Sequence, residues 1–164
     1  MEKILVINTG GTFNKRYNPL TGELEVDKEG QALTTLLEKW MHPFEVLNII
    51  GKDSLEMNSH DRLELLATIH QSTQRKILVV HGTDTMDVTA AYLADAELEK
   101  QIVLTGAMVP FSIDPTEATA NFASAYTALQ VMHENGVFIA MHGHIAPYQN
   151  LQKDRTKGRF IHLD

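Results

Sequence analysis

The sequence predicts an α/β fold, with a mostly parallel sheet covered by helices on both faces. Three observations carry that prediction. Short, β-branched apolar runs recur along the chain, each closed by Gly, Asn or His. Stretches with apolar residues at helical spacing lie between them. The resulting order of strand, helix, strand, helix requires right-handed crossovers, which place helices over both faces of a parallel sheet.

The first strand is predicted at Ile4 to Ile7. It runs into Asn8-Thr9-Gly10-Gly11-Thr12, a glycine turn at a strand's carboxyl end. Phe13 to Val26 interrupts the alternation. Its segment Tyr17-Asn18-Pro19-Leu20-Thr21-Gly22-Glu23-Leu24 has hairpin chemistry, with Pro19 and Gly22 as turn residues. A hairpin directly after Thr12 is expected over the end of the first strand, in the position of a lid. Gly30 to Trp40 carries Leu33, Leu36 and Leu37 at helical spacing. Val46 to Ile50 is the second strand, followed by the small polar groups of Asp53-Ser54-Leu55-Glu56-Met57-Asn58. The helix Ser59 to Ile69 follows, with Asn58 or Ser59 as N-cap. Ile77 to Val80 is the third strand; it leads into His81-Gly82-Thr83-Asp84-Thr85 and a helix over Asp84 to Leu93. Ile102 to Leu104 leads into Thr105-Gly106-Ala107-Met108-Val109-Pro110. Pro115 to Met132 is helical, with Pro115 in the first turn and Asp114 as cap. Val137 to Met141 is the fifth strand. The tail from Gln149 is polar until Phe160-Ile161-His162-Leu163, which predicts a short edge strand. No repeat or linker divides residues 1–164, which are expected to form one domain.

Composition narrows the function classes. With 43% hydrophobic and 21% charged residues the chain is an ordinary soluble globule. A domain of this size buries roughly 70% of its unfolded surface. A formal charge of -7 argues against a nucleic-acid partner. The absence of cysteine removes disulfides, thiol catalysis and Cys-ligated zinc. Met1-Glu2-Lys3 runs straight into an apolar stretch too short for a signal-peptide core, and no stretch is long enough to span a bilayer. A cytoplasmic protein with no membrane partner is expected.

A parallel sheet presents ligands at the carboxyl ends of its strands, and glycine there lets backbone N–H groups approach closely. A hydroxyl beside such groups can act as a nucleophile next to an anion-stabilising pocket. Thr12 and Thr83 both meet that description. Gly10-Gly11-Thr12 lacks the dinucleotide and Walker fingerprints, so a nucleotide cofactor is weakly supported. For the third turn, helix capping by Thr83 or Asp84 competes with a site at the strand end. The same two readings stand for the Asp53 to Asn58 segment. Among eight histidines His142-Gly143-His144 is the densest pair, but no carboxylate stands at ligand spacing and no metal is expected. His42, His60, His70 and His133 read as surface or cap residues.

Taken together, these segments resemble the bacterial-type L-asparaginase family of threonine amidohydrolases. Thr9-Gly10-Gly11-Thr12 resembles its first signature, and His81-Gly82-Thr83-Asp84-Thr85-Met86 its second. Ser54-Leu55-Glu56-Met57-Asn58 and Leu104-Thr105-Gly106-Ala107-Met108-Val109-Pro110 also fit, in the family's order. Counted from the apolar run Val137 to Met141, the family's lysine falls on Lys153.

The resemblance implies a three-layer α/β/α domain, Rossmann-like or flavodoxin-like, without the smaller C-terminal domain of typical members. It implies hydrolysis of L-asparagine to L-aspartate and ammonia through an acyl-threonine, with no cofactor. Thr12 is then the nucleophile, and Thr83, Lys153 and Asp84 form a relay. Tyr17 is the counterpart of the family's loop tyrosine. Gly11, Ser54, Glu56, Gly82 and Ala107 fall at substrate-binding positions, with backbone N–H groups of Gly11, Gly82 and Thr83 as candidates for the oxyanion pocket. Glu56 stands where many members have Asp. The resemblance further implies a homo-oligomer, dimer or tetramer, whose neighbouring chain helps complete the pocket. Glutamine or another small amide as substrate is an alternative, as is a non-catalytic amino-acid-binding module.

Overall fold

The computed structural model describes residues 2–164. Met1, at the head of the segment considered as a leader, lies outside the described residues. In chain order the elements are β1 (Ile4–Gly10), β2 (Lys15–Asn18), β3 (Glu23–Val26), α1 (Gln31–Lys39), β4 (Glu45–Lys52), α2 (Ser59–Gln71), β5 (Lys76–Val80), α3 (Met86–Ala94), β6 (Gln101–Thr105), α4 (Pro115–Val131), β7 (Gly136–Met141), β8 (His144–Pro147), β9 (Leu151–Asp154) and β10 (Arg159–His162).

Six strands form the central sheet in the order β4-β1-β5-β6-β7-β8. All neighbours are parallel except β7 and β8. The chain leaves β1 for β4 on one side and then returns to β5 on the other. This is the flavodoxin-like order, and its switch point lies between β1 and β5. The two threonine turns therefore flank the crevice where an open α/β sheet receives its ligand.

Strand alternation builds the two outer layers. Leu5 and Ile7 pack with Leu65 and Ile69 of α2 and with Met86, Ala90 and Leu93 of α3. Ile4 and Val6 pack on the opposite face with Leu33 and Leu36 of α1 and with Phe122 and Leu129 of α4. Every residue of β5 is buried, as expected of a central strand covered on both faces. Full burial of each such aliphatic side chain contributes about 1.5–3 kcal/mol. Helix ends follow their local chemistry. Asn58 and Asp61 form a reciprocal capping box on α2, and the Asp114 side chain accepts from Thr116 N ahead of Pro115 on α4. Among the described residues no helix is long and apolar enough to cross a membrane.

One expectation needs correction: the helix expected from Asp84 starts at Met86, because tertiary hydrogen bonds hold residues 83–85 in a turn. Strand β8 has no forerunner in the sequence pattern; it returns antiparallel to β7 through a turn at His142 and Gly143, both with positive φ. The short edge strand expected near Phe160 forms as β10 and pairs with β9 in a separate antiparallel ribbon.

Candidate active site

The first turn is fixed from inside the sheet. Gly10 (φ 111°) and Gly11 (φ 76°) adopt backbone conformations that disfavour side chains. A Cβ on Gly11 would lie 2.5 Å from Gly82 Cα, so the two threonine turns touch at their glycines. Buried Asn14 donates to Asn8 Oδ1 at 2.9 Å and to the Gly10 carbonyl at 2.6 Å. Thr9 Oγ1 donates to the Val80 carbonyl at 2.8 Å, tying the end of β1 to that of β5. Thr12 is left half-buried on this frame.

Two further strand ends converge on the same point. A Cβ on Gly82 would lie 2.6 Å from Ser54 Cβ, and one on Gly106 would collide with the His81 carbonyl. His81 is fully buried and braces the turn, its Nδ1 2.7 Å from the Gly82 carbonyl and its Nε2 2.8 Å from Thr89 Oγ1. Burial pushes its pKa down to about 4, so it is neutral at pH 7. The contact with Gly82 O then assigns the proton to Nδ1. Sequence reasoning missed this residue; its place directly after an apolar strand was the available signal.

The three residues that the resemblance assigns to a relay lie in contact. Lys153 Nζ lies 2.8 Å from Thr83 Oγ1 and 2.8 Å from Asp84 Oδ1. Arg155, also missed, donates to Asp84 Oδ1 at 2.9 Å and to its carbonyl at 3.0 Å. Asp84 thus serves two cations rather than capping α3. The hydrogen bond from Lys153 and the two nearby positive charges hold its carboxyl below the usual range. Both contacts fall on Oδ1, and Oδ2 has no hydrogen bond among the described residues. Thr83, Asp84, Lys153, Arg155, Tyr148 and Phe160 contribute to the wall of a cavity of about 460 Å³. Thr12 is not part of that wall.

The remaining positions divide. Ser54 is buried, its Oγ accepting from Thr85 N at 3.2 Å and its carbonyl from Thr85 Oγ1 at 2.9 Å, so it joins two of the turns. Ala107 is buried beside the fourth turn, and Glu56 is exposed. The Gly11 N–H donates to the Lys52 carbonyl at 2.9 Å and is therefore withdrawn from any oxyanion pocket. The N–H groups of Gly82 and Thr83 make no backbone hydrogen bond among the described residues. The β2–β3 hairpin is anchored at its base, where Lys15 pairs with Asp53 at 3.2 Å and Ser112 Oγ donates to the Lys15 carbonyl. Tyr17 is 63% exposed, and its hydroxyl forms no hydrogen bond among the described residues.

Comparison with known proteins agrees with this geometry. The family model described as "Asparaginase, N-terminal" matches residues 3–160. A glutamyl-tRNA(Gln) amidotransferase subunit of Methanococcus vannielii is 29% identical over 88% of this chain and 35% of its own length. The probable periplasmic L-asparaginase of Haemophilus influenzae is 27% identical over 95% of this chain and 47% of its own. The thermostable L-asparaginase of Thermococcus kodakarensis superposes with a TM-score of 0.81 at 22% identity, covering 98% of this chain and 51% of that one. The chain thus spans a third to a half of the length of the curated relatives it matches. Matched over residues 3–160, with its motif turns gathered at one switch point, the chain belongs to the asparaginase family and corresponds to its N-terminal domain.

Proposed function

We propose that this protein hydrolyses the side-chain amide of L-asparagine to L-aspartate and ammonia. The observation that carries this reading is the Thr83–Lys153–Asp84 contact set, with 2.8 Å spacings, on a turn that touches the turn of Thr12. Thr12 Oγ1 attacks the amide carbon and loses its proton as the C–O bond forms. The tetrahedral intermediate collapses with cleavage of the C–N bond, and the proton leaves with the nitrogen as ammonia. Water then attacks the ester, its oxygen joins the acyl carbon, and one of its protons returns to Thr12 Oγ1. A threonine hydroxyl needs a base for the first step, and Lys153 of the relay takes that part. The N–H groups of Gly82 and Thr83 stabilise the oxyanion. Asp84 Oδ2 receives the substrate ammonium. Tyr17 assists Thr12 when the hairpin closes, exposed Glu56 lies beside the substrate end of the site, and buried Ala107 supports the turn beneath it.

The family relationship supports an active homo-oligomer in which a neighbouring chain completes the pocket. Ammonia release from L-asparagine by the purified chain is the direct test. Thr12→Ala is expected to reduce it to background while leaving the fold intact; undiminished release would remove Thr12 as nucleophile. Solution mass by light scattering checks the oligomer.

A second reading keeps the chemistry and changes the amide. It is favoured by the relative named as an amidotransferase subunit. One methylene separates glutamine from asparagine, and a hydrophobic pocket discriminates such a pair by only about 10–200-fold. kcat/KM for the two amino acids decides between the readings.

A further inference from the structure

His142-Gly143 forms the two-residue turn between β7 and β8, with φ 53° and 81°. Such turns favour Asn-Gly, because both central residues need positive φ. The histidine at the first position instead makes contacts that an asparagine is too short to bridge. Its Nδ1 accepts from Phe160 N at 3.0 Å, so in the neutral ring the proton resides on Nε2. Nε2 lies 2.6 Å from Glu117 Oε2 on α4. The Glu117 carboxylate also accepts from Met108 N at 2.9 Å and Val109 N at 2.8 Å. Asn121 completes the frame: its Oδ1 accepts from His142 N at 3.0 Å and its Nδ2 donates to the Gly106 carbonyl at 2.9 Å.

Phe160 stands opposite Lys153 in the β9–β10 ribbon. Because the Phe160 N–H points to His142, this is the closely spaced pair without mutual hydrogen bonds, whose side chains lie nearest each other. We propose that Glu117 and His142 form a positioning dyad that locks the ribbon through the Phe160 amide and so holds Lys153 against Thr83. The dyad also links that ribbon to the turn after β6, so two parts of the site are set by one imidazole. This inference rests on the relay reading of Lys153 under the proposed function.

The charged and titratable groups around the ring are Glu117 from α4, His144 from β8, and Arg159 and His162 from β10, all lining one cavity of about 710 Å³. The rings of His144 and His162 stand 6.3 Å apart.

His142→Asn keeps a residue suited to the turn and removes the bridge. It is expected to lower kcat by roughly 10–100-fold, the scale of a misplaced catalytic group, with a much smaller change in KM. Changing His144 and His162 together to Gln leaves kcat close to wild type, because neither ring bonds the Phe160 amide. Hydrogen exchange at the Phe160 amide, followed by NMR at one fixed pH, accelerates in His142→Asn. Unchanged kcat in His142→Asn, or a loss confined to KM, overturns the proposal. If wild type hydrolyses no amide, the function reading has failed on its own, and Phe160 exchange still decides the anchor: unchanged exchange overturns it. Should His142→Asn fail to fold, Glu117→Gln is read by the same measurements, with the same outcomes deciding.

Discussion

Thr12 sits on a turn fixed from within the central sheet, whereas Lys153 sits on a two-stranded ribbon outside it. The first is held by short-range contacts among Asn8, Gly10 and Asn14 and by a backbone contact with Gly82. The second belongs to β9, which pairs only with β10 and reaches the sheet through side chains and loops. The difference teaches where precision is stored. The proposed nucleophile shares the cooperative core, so disturbing its seat means disturbing the fold. The proposed base is carried by a peripheral unit, which can shift while the core stays intact.

The sharpest way to break that comparison is Lys153→Met. Activity is expected to fall by about 10²–10⁴-fold, the usual worth of a positioned acid–base group. The melting temperature should stay close to wild type. A large thermal loss would show that the ribbon is integral to the core.

Acidification probes the opposite side, through His81. Its folded pKa, about 4, lies below the ordinary histidine value of 6.5. The unfolded chain therefore binds the proton first as pH falls, and stability rises with pH across that window. Stability is full above about pH 6.5 and declines down to about pH 4, by roughly 3 kcal/mol in all. Urea unfolding at a series of pH values measures this. A flat profile between those limits would mean that the turn before Thr83 does not hold a neutral buried imidazole.

Asn14→Ala sharpens the comparison further. It removes the Asn14 donor from the Gly10 carbonyl and leaves the Asn8 side chain only its bonds with Asn48 and the Gly10 N–H, so about 1–3 kcal/mol of stability should be lost. Activity should fall with it, because the same bonds seat Thr12. Equal stability with lower activity would instead make the Asn network a purely local device.

The smallest effect is expected at Arg155, whose side chain is 61% exposed. Arg155→Ala should cost less than about 1 kcal/mol of stability. It should change kcat/KM by less than about 5-fold, since Lys153 continues to neutralise Asp84. A larger kinetic loss would make the ribbon's second cation part of the substrate site.

Much of the fold is legible because local chemistry and global architecture agree. The runs at Ile4, Ile77 and Ile102 form parallel strands since a strand covered on both faces must be apolar throughout. Asn58 and Asp114 cap their helices as their side chains dictate. The family resemblance singles out Thr12, Thr83, Asp84 and Lys153, and the last three lie in contact. Arg155 is not, because nothing in a polar tail distinguishes one cation from another. The roles of His81 and His142 are hidden for a related reason. A buried histidine and a bridging one look alike in sequence until their partners, 8 and 25 positions away, are known.

By itself the sequence determined the layers, the strand ends that bear hydroxyls, and the glycines that let those ends meet. These follow from periodicity and backbone sterics, which act over a few residues. Only the tertiary structure decided that Gly11 N–H is engaged by Lys52, that Asp84 binds two cations instead of capping a helix, and that a histidine turn anchors the strand facing Lys153. Those outcomes depend on which polar groups lose water together. That is fixed by the packing of distant segments and has no counterpart in local spacing.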